Sequence, residues 1–77
     1  MEIGLDNLGC RNFGTVTKIN GDDVFVDRLR SFGLIPGTQV KLRYKSPSGS
    51  VIAIEFNATV IALRKKDARK IQVIWNG

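Results

Sequence analysis

Three short apolar stretches lie between Thr38 and Arg64, the first two with apolar residues at alternate positions, and the connections between them are far too short to hold a crossover. Val40, Leu42 and Tyr44 alternate with Gln39, Lys41, Arg43 and Lys45, which reads as a strand with one buried and one solvated face. Ser46-Pro47-Ser48-Gly49-Ser50 is a turn by composition, and Val51 to Phe56 resumes the strand with Ile52, Ile54 and Phe56 on one side. Asn57-Ala58 turns once more, and Thr59 to Arg64 follows with Val60, Ile61, Ala62 and Leu63. Strands joined this tightly run antiparallel, so the segment is predicted to be a three-stranded meander.

The flanking sequence adds a strand on each side. Phe13 to Ile19 is rich in Thr, Val and Ile and ends in Asn20-Gly21, a turn dipeptide. The period then changes: Phe25, Leu29 and Phe32 fall on one helical face, with Asp22 or Asp23 as the cap, Arg28 and Arg30 near the negative end of the dipole, and Gly33 and Pro36 beyond. The β-branched Val24 and Val26 favour an extended segment, but a strand there would leave Leu29 to Phe32 without a pattern, so a helix is predicted. Lys65 to Lys70 has room for one helical turn, and Ile71, Val73 and Trp75 alternate in a last strand. The expectation is a mainly β chain: a small five-stranded antiparallel barrel, with one helix after the first strand and a short helical turn before the last. Closure would remove the sticky edges of an open sheet.

A chain of 77 residues makes a single domain, residues 1–77, with 43% hydrophobic and 25% charged residues placing it among globular rather than disordered chains. It has no staple. Cys10 has no second cysteine to pair with, and without histidine the commonest ligand for iron, zinc or copper is missing. One unpaired cysteine fits a reducing compartment. No apolar run approaches a membrane span, and Met1 to Asp6 is acidic where a signal peptide is positive, so the chain reads as complete and cytoplasmic. An enzyme is not expected: no histidine can activate Ser31 or Cys10, and no nucleophile-elbow, phosphate-loop or zinc-protease motif occurs. Asp23 and Asp27 are read as helix-terminal charges, and Cys10 as a half-buried structural thiol. No catalytic residue, metal ligand, cofactor or small-molecule substrate is assigned.

Charge is the remaining lead. All but Arg11 and Lys18 of the 12 Lys and Arg lie beyond residue 27, whereas residues 1–27 are net acidic. Lys41, Arg43 and Lys45 are expected on one strand face, and Arg64, Lys65, Lys66, Arg69 and Lys70 form a second basic cluster. Nucleic-acid readers of this size add exposed aromatics for stacking, but Tyr44 falls in phase with Val40 and Leu42, and Trp75 with Val73, so the pattern does not favour that partner. In Leu34-Ile35-Pro36-Gly37, either both large residues plug the barrel end, or one does while its neighbour is exposed to a protein partner.

The pair "RLRSFGLIPGTQV" and "IALRKKDARKIQV", at this separation, resembles the FeoA family, and the likeness runs from about Leu5 to Val73. The resemblance implies an SH3-like barrel and a non-enzymatic cytoplasmic accessory protein of ferrous iron uptake. Its implied partner is the cytoplasmic part of the membrane transporter FeoB, whose transport or GTP hydrolysis it would modulate. Contact with the membrane would come only through that partner, and weak self-association is allowed. On this reading Leu34 and Ile35 are apolar anchors for the partner, with Arg28, Arg30, Lys41, Arg43 and Lys45 as the basic surround. Leu29 and Phe32 would bury the helix, and Ala62, Leu63, Ala68 and Ile71 would pack the far side of the barrel. Two departures stand out: family members often have Gly in the turn occupied here by Asn57-Ala58, and an acidic residue followed by Pro where this chain has Ser50-Val51. The barrel also resembles the C-terminal SH3-like domain of iron-dependent repressors, which makes a regulatory module acting in trans the alternative, with a small basic nucleic-acid-binding barrel as a further one.

Overall fold

The computed structural model describes residues 1–75. Its strands are β1 (Glu2–Gly4), β2 (Phe13–Ile19), β3 (Gln39–Lys45), β4 (Val51–Phe56), β5 (Thr59–Arg64) and β6 (Ile71–Trp75), with helix α1 over Asp23–Ser31, the single turn α2 over Lys65–Ala68, and a 3-10 turn at Leu5–Asn7. All pairings are antiparallel, in the order β1-β6-β2-β3-β4-β5. The mainly β expectation holds, with two corrections. The described residues form six strands, because Glu2–Gly4 pairs with β6 through Ile3 opposite Val73. The sheet also does not close by hydrogen bonding, since β1 and β5 each have one neighbour and form its two edges.

Two bulges bend this sheet into a barrel shape. Between Val16 and Lys18 the register of β2 against β6 shifts, and the displaced Thr17 donates its hydroxyl to Glu2 Oε2 at 2.6 Å. Between Leu42 and Tyr44 the register of β3 against β4 shifts too, with Arg43 as the extra residue. Each bulge sharpens the local twist, so β2 can pair with β6 on one side and β3 on the other. Inward-facing Val16, Val40, Leu42, Ile52, Ile54 and Val73 form the centre of the core, and Leu5 and Leu8 seal one end.

Helix α1 starts where the sequence indicates: the Asp22 carboxylate accepts the Phe25 N–H at 2.9 Å. Its other end is tied twice. The Gly33 N–H reaches the Arg30 carbonyl at 2.9 Å, the Leu34 N–H reaches the Leu29 carbonyl at 3.0 Å, and Gly33 has φ 91°. This is the Schellman arrangement, in which the residue after the left-handed glycine packs on the last turn. Leu29 and Leu34 are accordingly both buried, each burial contributing about 2 kcal/mol. Thr38 then locks the following turn, its hydroxyl donating to the Gly33 carbonyl and accepting from the Ile35 N–H, both at 3.2 Å. Gly37 and Thr38 bond to Val16 of β2 at 2.7 and 2.8 Å. Most of the first family-like motif is thereby accounted for as the device that ends a helix and starts β3.

The two-residue connection of β4 to β5 holds Asn57 at φ 49° and Ala58 at φ 61°, both left-handed, as a hairpin of the I′ type requires. Asparagine accepts this conformation, whereas the Ala58 Cβ crowds its own carbonyl. Ala58→Gly is therefore expected to stabilise the fold by about 1 kcal/mol, the relief exceeding the extra freedom glycine brings to the unfolded chain. A rise in the urea midpoint at unchanged slope is the measurement.

A candidate partner-docking groove

The residues expected to form one contact face do not come together. Leu34 is 0% exposed, so it plugs the barrel and cannot anchor a partner, whereas Ile35 is 45% exposed. Of the two arrangements open for this pair, the structure takes the one with a plug and an exposed neighbour. Ile35 lines a shallow depression with Thr17, Lys18, Val26 and Arg30, and none of Lys41, Arg43 or Lys45 belongs to it. Arg30 lies 3.4 Å from Asp27 on the exposed helix surface. Arg28 is exposed and has no ion pair among the described residues.

The β3 bulge separates the strand cations. Lys41 lies opposite Glu55 on the outer face, with its Nζ 5.5 Å from the Phe13 ring centre. Arg43 bonds Glu55 at 3.1 Å on the same face. Beyond the bulge the alternation inverts: Tyr44 pairs with outward Ala53, and Lys45 pairs with buried Ile52. Lys45 therefore turns inward and donates to the Asp6 carbonyl at 3.1 Å, while Arg69 approaches the Asp6 carboxylate at 3.5 Å. Lys45 is thus removed from the basic strand face and becomes a clasp on the N-terminal turn.

The same inversion corrects the reading of the aromatics. Tyr44 is 54% exposed, and Trp75, opposite Gly14 at the end of β6, is 53% exposed. Neither is a core residue. Phe32 is exposed as well, so Leu29 with partly buried Phe25 anchors the helix. Ala62 is exposed on the outer face, and Cys10 is exposed rather than half-buried.

A site that the sequence did not indicate lies between α1 and β5. Phe25, Arg28, Leu29 and Phe32, spaced as one helical stripe, form one wall. The other is the run Ile61, Ala62, Leu63 and Arg64, with Lys66 and Asp67 at the end. The groove encloses about 480 Å³, within the ordinary range for ligand clefts. Consecutive strand residues lining one groove mean that the strand's edge, not one of its faces, is exposed to it. Beside the groove, the Lys70 Nζ lies 4.8 Å from the Phe25 ring centre. A second, more open basic cleft continues from Arg64 and Lys66 to Lys65, Arg69 and the Ser48–Ser50 turn. The sequence displayed both walls, the helical stripe of Phe25, Leu29 and Phe32 and the strand run of Ile61, Ala62 and Leu63 with its basic end, but no local pattern shows that they face each other.

Among the described residues no group of three or more His, Cys, Asp or Glu is arranged to hold a metal ion, and no helix is long and apolar enough to cross a membrane. The groove offers apolar surface, cations without an ion pair among the described residues and a strand edge.

Comparison with known proteins agrees with the motifs. The FeoA domain model matches residues 3–74. No curated protein matches the chain. The crystal structure of an iron uptake regulatory protein (FeoA) is similar at 27% identity over 97% of both chains, with a TM-score of 0.83. The NMR structure of a FeoA-like protein from Clostridium acetobutylicum is similar at 25% identity over 99% of this chain and 88% of that one, with a TM-score of 0.87. A manganese-dependent transcriptional repressor shares the fold over 96% of this chain and 41% of its own, at 17% identity and a TM-score of 0.86. The SH3-like expectation therefore holds.

The division between plug, clasp and surface can be measured by denaturant unfolding. Leu34→Ala is expected to cost about 3 kcal/mol, and Ile35→Ala less than about 1. Lys45→Glu, which places a carboxylate against the Asp6 carbonyl, is expected to cost about 2 kcal/mol, against no more than about 1 for Arg43→Glu.

Proposed function

Because the chain belongs to the FeoA family, we propose that it is a small accessory protein of ferrous iron uptake, which binds the cytoplasmic part of a FeoB transporter and so adjusts transport or the GTP-hydrolysing step. The carrying observation is the family match over residues 3–74, supported by likeness to an iron uptake regulatory protein across 97% of both chains. The chain acts by contact and not by catalysis on this reading. Iron is the transporter's cargo and is not held here. The contact surface combines Arg28 and the α1–β5 groove, with exposed Ile35 as a second apolar point. Soluble, cytoplasmic placement follows from a partner whose regulatory part faces that compartment.

Nucleic-acid binding has one observation on its side: exposed Tyr44 stands on the outer face of β3 with Lys41 and Arg43, as a stacking residue on a basic surface does. One experiment separates the two readings. The tagged chain is used to retain partners from membrane extract at moderate salt, with and without nuclease. Recovery of a GTP-binding membrane transporter in both samples is expected; recovery of nuclease-sensitive material alone would move the function to nucleic acid.

A further inference from the structure

The two edges of the sheet are treated differently. β1 spans three residues, and so short an edge offers little for another chain to pair with. β5 spans six residues and has β4 as its neighbour on one side only. Phe56 and Thr59 flank the two-residue turn and form a hydrogen-bonded pair, so Thr59, Ile61 and Leu63 direct their backbone groups toward β4. The Lys65 N–H bond to the Ser50 carbonyl at 2.9 Å continues this parity. The N–H and C=O of Val60 and Ala62 therefore point away from the sheet. No turn, loop or side-chain hydrogen bond among the described residues reaches them. Unpaired edges are usually blunted by proline, charge or a covering segment, but here the outward backbone belongs to a valine and an alanine and borders a groove.

The surroundings specify what would pair there. A strand added to β5 places alternate side chains beside Ile61 and Leu63, against Phe25, Leu29 and Phe32, and the others beside Val60, Ala62 and Arg64. The first set must be apolar. The second runs toward Arg64, and the groove's other cations are Arg28 and Lys66; none of the three has an ion pair among the described residues, whereas the groove's one acid, Asp67, is engaged by Lys70 at 3.6 Å, so this set is acidic. A second copy of the chain fits poorly, since β5 against β5 would bring these cations together.

We propose that the β5 edge binds an extended segment of a partner protein, alternating apolar and acidic residues, by strand addition in the α1–β5 groove. Main-chain bonds to Val60 and Ala62 hold the segment, and the alternate contacts select it. The proposal deepens the transporter reading and rests on it for the partner's identity.

The test uses the full isotope-labelled chain and a short blocked peptide alternating glutamate and valine, with a lysine and valine counterpart as control. The acidic peptide is expected to slow amide hydrogen exchange at Val60 and Ala62 by about tenfold or more, and the basic one to leave it unchanged. Ala62→Pro removes an outward N–H at a position where an edge strand accepts proline, and is expected to abolish binding at an unchanged urea midpoint. Should that variant unfold, Arg28→Glu with Lys66→Glu, both exposed, is expected to weaken the acidic peptide about tenfold and favour the basic one. Unchanged exchange at Val60 and Ala62, equal affinity of the charge-reversed variant, or a dimer of the chain that Ala62→Pro dissolves would each overturn the proposal. Capture of the transporter equally by wild type and a folded Ala62→Pro variant would overturn the groove and leave the transporter reading; protection by the peptide with no capture of the transporter would do the reverse.

Discussion

The hydrogen bond from the Leu34 N–H to the Leu29 carbonyl, 3.0 Å long, couples the end of the helix to the core. It exists because Gly33 takes a conformation closed to most residues, and it brings two leucines into the barrel together. Helix α1 is short and has little stability of its own, so its position depends on Leu29, Leu34 and the partly buried Phe25. The other features of that side of the molecule follow: the Thr38 lock, the exposed Ile35 tip, and the wall that α1 raises opposite β5. A groove between a helix and a strand edge requires such an anchor, since without it the helix would either settle onto the edge or leave it.

Much of this architecture was legible in the residues. Period-two alternation located β3, β4 and β6, the apolar run after the Asn57-Ala58 turn located β5, and the cap and glycine signals located α1. What escaped has a common physical origin. A bulge adds one residue without leaving a pattern in the sequence, and every side chain beyond it changes face. Reading through Arg43 without that shift placed Tyr44 inside and Lys45 outside, the reverse of what the β3–β4 register shows. Trp75 kept its phase but lies at the end of the last strand, where inward no longer means covered. Strand β1 escaped for another reason, because three residues are too few to display any period.

The candidate site was only half legible. Its helical stripe and the β5 strand with its basic end are both visible locally, and the family likeness supplies an expectation of partnership. That they form two sides of one groove depends on long-range packing of α1 across a sheet that fails to close. The motif residues themselves mostly maintain the fold: Leu29, Gly33, Leu34, Thr38, Ala68 and Ile71 are engaged in capping or burial. On the proposed reading, contact with a partner involves positions that neither cap the helix nor fill the core, such as Arg28, Val60 and Lys66.

The position of β6 bears on how the chain matures. This strand lies between β1 and β2 in the sheet, so residues near the start of the chain find their neighbours only when the final strand arrives. During synthesis at about 5–20 residues per second, the β3–β4–β5 meander can assemble from local contacts while β1 and the outer side of β2 wait. Sheet assembly is complete only after Trp75 has left the ribosome, and until then a growing chain exposes the β2 margin to whatever chaperone or neighbouring strand is at hand.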